Sequence, residues 1–587
     1  MCTFTCGDEL TRTCEVHLSD DISEIRRIHT LEHADGPLGQ RWSDAICHAT
    51  QVTDHTTIAD VIAHTLLDRG CTVAFGIPGV HNLPFWDGEE GLNVVGVRHE
   101  QAAVYAADGY FRATGRPAAA LVTSGPGAAN TMAAFGEAFT VGSAVIVIAS
   151  EVNASSRRED GPRGILHEMA DQAAMFAAFG APSYSAFNDE DALRYSGLAI
   201  DEAISVPTGP TAVSVATDVL GQVTDASVPP ATTFSSIEPS DAEVDALVAL
   251  LNAHQRVVLW IGGGALDAED QIIALADRIK APIVTTYAAR GFAAGHPLTV
   301  DAPVHEPEVA ELIASADLLL GIGSEFDGMN TRNWKMPVPR TLAAVCLGEQ
   351  VARTFDWDLL INAEAGLTVE RVVAHNDLQS KAAWAEPSAI RDALLARLAA
   401  DPRTQDAINF VEIVNAAWPE DGVVVCDMAV SAYWYGGYAS QPRTRRMQYA
   451  VGWGTLGYAL PASIGPASAG FTTLIVCGDG GPMFSLGELA TIAQERLPVT
   501  MLVDDDGGYG MLRFDQRTFG HPERGVDLLT PDWHALGAAF GIAVTEVAEL
   551  SELSNVLAAA AESKVPNIVV HRSVFHPPRT TSPRWFE

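Results

Sequence analysis

Residues 473–511 read TLIVCGDGGPMFSLGELATIAQERLPVTMLVDDDGGYGM, and this stretch decides the fold. TLIVC and VTMLV are apolar runs typical of buried strands, and the pattern between them predicts a helix at roughly 485–495. A strand, a helix and a second strand form one βαβ unit with parallel strands. Both strands therefore end at the same sheet edge, where α/β proteins bind their ligands.

Acidic residues and glycines follow each of these two strands. Asp479 lies in the turn Gly478–Gly481 after the first strand, and Asp504, Asp505 and Asp506 follow the second, so Asp479 and one of these three can meet at one cation. Mg²⁺ typically binds one or two carboxylates together with substrate phosphates. Gly480 and Gly481 allow a phosphate to approach the backbone closely. We therefore expect a magnesium and phosphate site here; the alternative is an acidic turn that faces water.

The alternation of apolar strands and helical segments recurs in three series along the chain. Such alternation predicts the α/β class, with three doubly wound parallel-sheet domains. The series place these domains at 53–225, 240–375 and 405–572. An N-terminal extension at 1–52 precedes them and a C-terminal tail at 573–587 follows them.

Composition excludes several classes of protein. The 587 residues include 36 basic and 74 acidic side chains, which gives a net charge of −38. Such a charge repels nucleic acid phosphates and anionic membranes, and there is no run of about 18 uncharged apolar residues. The eight cysteines include no CxxC pair, which argues against a zinc site or a disulfide framework. We expect a cytoplasmic protein that binds neither nucleic acid nor a membrane.

Three residues of the first series are candidates for chemistry. Glu100 ends the RHE segment, between a short strand and an apolar helix. It is either a proton-exchanging carboxylate or an acid that complements the helix dipole. His81 follows a strand end in FGIPGVH, and His167 lies in ILHEMADQ. Local sequence alone favours the dipole role for the glutamate and a surface or satisfied role for each histidine.

Together these motifs resemble the thiamine diphosphate enzyme superfamily, and specifically its acetolactate-synthase-like branch. The resemblance spans roughly 56–570 and rests on FGIPG, RHE, ADGYFRATG, TSGPGAAN, and GDG followed by DDGGYGM. In that family a metal-binding residue of an Asn-Asn pair follows the GDG aspartate by about 27 positions, and Asp479 plus 27 is Asp506. The resemblance implies a pyrimidine-binding, a central and a diphosphate-binding domain, in that order.

The resemblance also implies roles for single residues. Glu100 matches the glutamate that hydrogen-bonds the aminopyrimidine ring of thiamine diphosphate. Asp479 and Asp506 match the side-chain ligands of Mg²⁺, and Gly508 matches its backbone carbonyl ligand. Leu456, in GWGTLGYAL, matches the apolar residue that holds the cofactor bent. The cofactor-binding set is completed by the turn glycines, Gly478, Gly480 and Gly481. In the family the active site lies between end domains of different subunits, which implies a homodimer or homotetramer.

The chain departs from the family pattern at several points. Asp506 stands where Asn is usual, and this adds a negative charge that faces the diphosphate. Thr217, in VATDV, stands where acetolactate synthases usually carry Lys. The tryptophan expected a few residues after DDGGYGM is absent, and GIGSEFDGMN lacks the arginine of many FAD-binding members. These departures count against acetolactate synthase activity and against FAD as a cofactor.

Other motifs lean toward different members of the family. GVH, with His81, resembles the GAH of benzaldehyde lyase, whose histidine lies in the active site, and FGIPGVH also resembles 5-guanidino-2-oxopentanoate decarboxylases. ILHEMADQ aligns with a loop of benzaldehyde lyase that supplies a glutamine, and His167 takes that place. Both histidines thus become candidates for proton relay or substrate orientation near neutral pH.

We therefore expect an enzyme that decarboxylates a 2-oxo acid, with possible carboligation of the product. One alternative is a lyase or carboligase that acts on 2-hydroxy ketones without decarboxylation. A second alternative is a non-catalytic homologue, which the presence of Glu100 argues against.

Overall fold

The computed structural model describes residues 56–86, 91–158, 160–450 and 452–581. The extension predicted at 1–52 lies outside these residues. Three sheets are present, and within each sheet neighbouring strands pair in parallel. The predicted α/β class with three parallel sheets is confirmed; the exact domain bounds stay a prediction. Within the described ranges no helix combines the length and the apolar character needed to cross a membrane.

The first sheet changes winding direction between its first and third strands. Its strands are β1 (Val73–Gly76), β2 (Asn93–Gly96), β3 (Ala118–Val122), β4 (Val145–Glu151), β5 (Ser183–Ala186) and β6 (Thr211–Ala216). Its helices are α1 (Ile58–Asp68), α2 (Glu100–Thr114), α3 (Pro126–Asn130), α4 (Met132–Val141), α5 (Ala173–Ala177), α6 (Asp189–Ile204) and α7 (Thr217–Leu220). The strand order is β2-β1-β3-β4-β6-β5. The crevice between β1 and β3 is therefore a topological switch point, the usual place for a ligand.

The second sheet has five strands and a core on both faces. Its strands are β7 (Val257–Ile261), β8 (Ile283–Thr285), β9 (Leu318–Ile322), β10 (Thr341–Val345) and β11 (Leu359–Ile361). Its helices are α8 (Asp241–Ala253), α9 (Glu269–Ile279), α10 (Pro307–Ser315), α11 (Ala365–Ala374) and α12 (Pro387–Ala400). The order is β11-β10-β9-β7-β8. The strands β7 and β9 are buried throughout, as expected for apolar strands covered on both faces.

The third sheet repeats the strand order of the first. Its strands are β12 (Val423–Cys426), β13 (Met447–Tyr449), β14 (Thr473–Gly478), β15 (Val499–Asp504), β16 (Ala543–Val547) and β17 (Asn567–His571). Its helices are α13 (Gln405–Ala417), α14 (Val430–Tyr438), α15 (Ala459–Ala462), α16 (Ile464–Ser468), α17 (Glu488–Gln494), α18 (Gly510–Thr518), α19 (Trp533–Phe540) and α20 (Leu553–Ser563). The order β13-β12-β14-β15-β17-β16 places a second switch point between β12 and β14.

The helix predicted at 485–495 begins later than expected. Residues Pro482–Phe484 form a 3₁₀ turn, and α17 starts only at Glu488. Ser485 leaves the helical region with a φ of −141°, and its hydroxyl donates to the Gly457 carbonyl at 3.1 Å. A tertiary contact has thus replaced the first helical turn.

Helix α2 joins the first and third sheets within one chain. The Tyr458 hydroxyl donates to the buried Asp108 carboxylate at 2.9 Å, and Arg112 donates to the same carboxylate and to the Tyr449 carbonyl. A Cβ on Gly109 would lie 2.1 Å from the Ala462 carbonyl oxygen. Helix α2 therefore packs directly against the backbone of α15, a helix of the third sheet.

The described end of the chain is packed rather than frayed. The predicted tail is described as far as residue 581, and 582–587 lie outside the description. Trp434 donates its indole N–H to the His576 carbonyl at 2.7 Å, and Phe575 packs on Phe410. Thr580 is only 1% exposed. The four cysteines within the described ranges are buried and free, Cys71, Cys346, Cys426 and Cys477.

Candidate functional site

The carboxylate of Asp479 lies buried at the end of β14. Its side chain follows Gly478 at the switch point of the third sheet and is 2% exposed. Neither carboxylate oxygen makes a hydrogen bond of normal geometry to any described residue. Burial, together with the nearby Asp506 and Asp505, raises the pKa of Asp479 to about 7. An unpaired buried carboxylate is costly, so this position is suited to a cation.

The structure separates the roles of the three aspartates that follow β15. Asp504 accepts a hydrogen bond from the Ser573 hydroxyl at 2.6 Å, and Asp505 accepts one from the Trp533 indole at 3.0 Å. Asp506 Oδ1 is buried and has no partner among the described residues. Two of the three carboxylates are thus used within the fold, and the third is the one that the family resemblance predicted as a ligand.

Asp506 and Asp479 influence each other electrostatically. Burial raises the pKa of Asp506 to about 6, although the nearby Arg513 acts in the opposite direction. Asp506 in turn contributes to the raised pKa of Asp479. The structure therefore brings together the two side chains that the sequence proposed as metal ligands.

The backbone after Asp506 leaves one carbonyl open. Arg513 donates to the carbonyls of Asp506 and Gly507 at 3.3 and 3.1 Å, whereas the Gly508 carbonyl accepts no hydrogen bond from the described residues. Gly508 has a φ of +150°, and a Cβ there would lie 1.9 Å from the Val526 carbonyl oxygen. Only glycine fits at this position, and its carbonyl is available to a ligand.

A buried carboxylate holds the Leu456 loop against the GDGG turn. Asp427, just after β12, accepts hydrogen bonds from the backbone N–H groups of Gly457 and Ala459 at 3.0 and 3.1 Å. A Cβ on Gly457 would lie 3.0 Å from the Gly481 carbonyl oxygen, so the loop touches the turn. Leu456 is half-buried and directly precedes this contact. Its position agrees with a side chain that packs against a ligand of the turn.

This group of residues fits a hard cation. The buried carboxylate of Asp479, the half-buried one of Asp506 and one open carbonyl offer only oxygen, which is what Mg²⁺ prefers, and phosphates can supply the remaining ligands. The described residues contain no group of three or more histidine, cysteine or acidic side chains placed to hold a metal ion. The described residues therefore do not indicate a metal site held by protein side chains alone. They indicate a metal site whose remaining ligands come from a phosphate.

Glu100 is the first residue of α2 and is half-buried. Its Oε2 accepts a hydrogen bond from the Asn130 side chain at 2.9 Å. The helix is capped by its neighbour His99, whose Nδ1 accepts from the Gln101 backbone N–H at 3.2 Å. Because the cap is supplied by His99, the glutamate is not needed for capping.

The two candidate histidines meet at a serine. Ser124 follows β3, is fully buried, and places its Oγ 3.0 Å from His81 Nδ1 and 3.3 Å from His167 Nδ1. The two rings lie 5.1 Å apart at 73°. Partial burial, together with His167, lowers the pKa of His81 and favours a neutral imidazole at pH 7. Sequence reasoning named both histidines but missed the serine, although it lies in the quoted TSGPG motif.

Neighbouring side chains fix the backbone around these histidines. The Thr217 hydroxyl lies 3.1 Å from the His81 carbonyl and 2.9 Å from the Glu151 carbonyl. Gln172 accepts from the Gly125 backbone N–H at 2.7 Å. Thr217 occupies the position where acetolactate synthases usually carry lysine. Its uncharged side chain, directly after β6, thus holds two backbone carbonyls by hydrogen bonds. Gln172 was also missed, and it lies within the quoted HEMADQ segment.

The residues form two separate groups in one chain. The first group, at the first switch point, holds Glu100 and the histidine cluster; the second, at the third sheet, holds Asp479 and Asp506. Within the described part of the chain no hydrogen bond or ion pair connects a residue of one group to a residue of the other.

Three family models match the chain. They describe the N-terminal TPP binding domain, the central domain and the C-terminal TPP binding domain of thiamine pyrophosphate enzymes, and they match residues 56–175, 244–372 and 427–571. A probable 2-ketoarginine decarboxylase from Pseudomonas aeruginosa is 33% identical over 522 residues, which cover 86% of this chain and 91% of that protein.

The chain belongs to the thiamine pyrophosphate enzyme family.

Further similarities agree with this membership. The acetolactate synthase large subunit of Parasynechococcus marenigrum is 28% identical, over 87% of this chain and 86% of that protein. A solved structure from Mycobacterium smegmatis, described as a thiamin diphosphate-dependent enzyme, has a TM-score of 0.75 at 21% identity. It covers 89% of this chain and all of its own, and it shows the shared fold. Both residue groups lie within the matched TPP-binding domains of the family.

Proposed function

We propose that this member of the family binds thiamine diphosphate with Mg²⁺ and decarboxylates a 2-oxo acid. The observation that carries the cofactor assignment is the buried Asp479 beside the half-buried Asp506, in the matched C-terminal TPP-binding domain. Both carboxylate oxygens of Asp479 and Oδ1 of Asp506 are buried without a hydrogen bond of normal geometry to any described residue. When bound, thiamine diphosphate supplies an electron sink for the bond next to a carbonyl group. The chain's own residues bind, orient and move protons around it.

Asp479, Asp506 and the Gly508 carbonyl are the proposed Mg²⁺ ligands. The cation would tie the diphosphate to the GDGG turn, where Gly478, Gly480 and Gly481 carry no side chain to obstruct it. The Leu456 loop, held by Asp427, would support the cofactor from the side. The extra charge of Asp506 relative to asparagine strengthens its attraction to the cation.

Glu100 is the proposed partner of the aminopyrimidine ring. Its carboxylate would share a proton with the ring nitrogen, while Asn130 holds it in place. Since no hydrogen bond or ion pair links Glu100 to the aspartates within the described part of the chain, we propose that a second copy completes the site. The minimum unit is then a homodimer, and a homotetramer would contain two such pairs.

The charge pattern near the histidines suits a 2-oxo acid with a cationic side chain. Burial raises the pKa of the Glu151 carboxyl, Arg157 at 3.6 Å acts in the opposite direction, and Asp171 and Glu168 lie near enough to raise it again, so three acidic groups here face one arginine. Thr217 places no positive charge beside His81. A guanidino group is favoured in such surroundings. The similarity to a 2-ketoarginine decarboxylase points to the same substrate class.

A second candidate reaction is the cleavage or formation of 2-hydroxy ketones without loss of CO₂. The His81–Ser124–His167 cluster favours it, because paired imidazoles can take and give the hydroxyl proton of such a substrate. Carboligation after decarboxylation would use the same groups.

The test is a substrate panel on protein reloaded with thiamine diphosphate and Mg²⁺. The panel contains 2-ketoarginine, pyruvate, a straight-chain neutral 2-oxo acid and a 2-hydroxy ketone, with CO₂ and aldehyde measured separately. We expect CO₂ release, with the highest kcat/KM for 2-ketoarginine. Aldehyde without CO₂ from the hydroxy ketone alone would support the lyase instead, and no product from any compound would refute both.

A matched pair of variants tests the role of Glu100. Glu100→Gln removes the proton-sharing carboxylate at the first position of α2, and Asp189→Asn removes an acid at the first position of α6. We expect Glu100→Gln to bind the cofactor yet lower CO₂ release at least a hundredfold, with Asp189→Asn near normal. Equal, small effects of both variants would show that Glu100 only complements the helix dipole.

A further inference from the structure

Ser124 links two imidazoles through hydrogen bonds. Its Oγ lies within hydrogen-bond distance of Nδ1 of both His81 and His167, and the hydroxyl is fully buried. A serine hydroxyl has one proton to donate and two lone pairs to accept with. It can therefore donate to only one of the two Nδ1 atoms and must accept a hydrogen bond from the other.

This asymmetry fixes the proton positions on both rings. The imidazole that receives the serine proton has a bare Nδ1, and in its neutral form it carries its own proton on Nε2. The imidazole that donates to the serine carries its proton on Nδ1 and has a bare Nε2. We propose that Ser124 is a positioning residue that holds His81 and His167 in opposite neutral tautomers, so that one presents an acid and the other a base.

The arrangement is built into the backbone. His167 adopts a φ of +71°, which is uncommon for a residue with a side chain. A Cβ on Gly125 would lie 2.5 Å from the His167 carbonyl oxygen. The His167 backbone therefore packs directly against Gly125, the residue after Ser124. Gln172 fixes the same turn by accepting from the Gly125 N–H. Strain at His167 is thus retained where it brings the ring to the serine.

The pair can pass a proton without any other reactant. A proton that arrives at the bare Nε2 of one ring releases its Nδ1 proton to Ser124 Oγ. The serine then gives its original proton to Nδ1 of the second ring, which loses its Nε2 proton to the acceptor. One proton enters and one leaves, and the two rings exchange tautomers. This role rests on the proposed function, since the protons would come from and go to a substrate at the first switch point.

Histidine-selective ¹⁵N labelling and solid-state NMR of the full-length holoprotein test the proposal. Ring nitrogen shifts distinguish the two neutral tautomers, and the spectrum is recorded at about pH 8, where histidine is ordinarily neutral. The chain has 17 histidines, so His81→Gln and His167→Gln identify the two signals by their loss. We expect one of the two rings to carry its proton on Nδ1 and the other on Nε2. Finding the same tautomer on both rings would overturn the proposal.

Two serine variants provide the matched comparison. Ser124→Ala removes the bridging hydroxyl, whereas Ser150→Ala removes another fully buried hydroxyl, at the end of β4, that has no partner among the described residues. We expect Ser124→Ala to change the tautomer of at least one ring and to lower kcat at least tenfold with KM changed less than threefold. Ser150→Ala should leave both the tautomers and kcat as they are.

The outcomes separate this inference from the proposed function. Unchanged tautomers or unchanged kcat in Ser124→Ala would refute the positioning role. If that variant does not fold, the spectrum of the unmodified protein still decides between opposite and equal tautomers. If no substrate of the panel is turned over, the reaction assignment fails, while the spectrum still supports or refutes the tautomer pair.

Discussion

Metal binding by this protein should depend steeply on pH between 7.5 and 5.5. The reason is the pair of proposed ligands, whose pKa values are raised by burial to about 7 for Asp479 and about 6 for Asp506. Carboxylates bind a cation only when they are ionised, so protons compete with the metal throughout this range. A pair of ordinary surface aspartates, ionised above pH 5, would show almost no such dependence.

The magnitude follows from the two ionised fractions. At pH 7.5 they are about 0.76 for Asp479 and about 0.97 for Asp506; at pH 5.5 they fall to about 0.03 and about 0.24. Their product falls from about 0.74 to about 0.007, which predicts a loss of about a hundredfold in affinity, or about 2.8 kcal/mol. The affinity increases with pH because the metal-bound form requires both carboxylates without protons.

Mn²⁺ binding followed by electron paramagnetic resonance is the assay. The full-length protein is stripped with chelator and titrated without thiamine diphosphate, because the diphosphate itself takes up protons in this range. Asp506→Asn provides the comparison, since only Asp479 then titrates and no longer faces the charge of Asp506. The loss on acidification should then be smaller than about 25-fold. An affinity that changes less than threefold in the unmodified protein would refute the reasoning.

Four further predictions concern single side chains. Without metal, the raised folded-state pKa of Asp479 contributes stability below about pH 4 that is lost as pH rises through about 7, so Asp479→Asn should flatten the decline of Tm measured across this range. Asp427→Ala leaves the N–H groups of Gly457 and Ala459 unpaired, which should lower the unfolding free energy by at least about 2 kcal/mol in urea melts and weaken thiamine diphosphate binding by calorimetry; unchanged binding would show that the Leu456 loop needs no clamp. Arg513→Gln frees the carbonyls of Asp506 and Gly507 and removes the cation beside Asp506, so the Mg²⁺ concentration for half-maximal activity should rise at least threefold, with Arg517→Gln, which pairs with the exposed Glu523, as the neutral control. Thr217→Lys should lower kcat/KM for 2-ketoarginine at least tenfold relative to pyruvate, and an unchanged ratio would contradict the electrostatic account of substrate choice.

The strands that carry the site were predictable because they are uniformly apolar. The segments at β14 and β15 are buried along nearly their whole length, and such runs have few alternatives to a covered parallel strand. Strand β16 lacks this signal, because Ala543–Val547 is largely exposed at the sheet edge, and the sequence reasoning did not mark it. Edge strands are defined by their neighbours rather than by their own composition.

The site was predictable in part, for a different physical reason. Asp506 followed from the family resemblance, but its distinction from Asp504 and Asp505 in the fold depends on Ser573 and Trp533, which are distant in sequence. The same holds for Ser124. It contacts two histidines that each lie 43 residues away in the sequence, and only the fold brings them together. Hydrogen bonds between loops leave no periodic trace in a sequence, so only the folded chain shows them.

The two departures from the acetolactate synthase pattern act in the same electrostatic direction. Asp506 in place of asparagine adds one negative charge at the third sheet, and Thr217 in place of lysine removes one positive charge at the first. The composite site is therefore two charge units more negative than the pattern from which it departs. Asp506 is partly offset by Arg513 and would be further offset by a bound divalent ion, whereas nothing of comparable charge replaces the lysine next to His81 among the described hydrogen-bond partners of Thr217. The positive charge missing at Thr217 is thus on the histidine side of the proposed site, where Arg157 pairs with Glu151 at 3.6 Å and Asp171 and Glu168 lie nearby. Under the proposed function, Coulomb attraction from these three carboxylates outweighs the one arginine and favours a cationic 2-oxo acid over pyruvate.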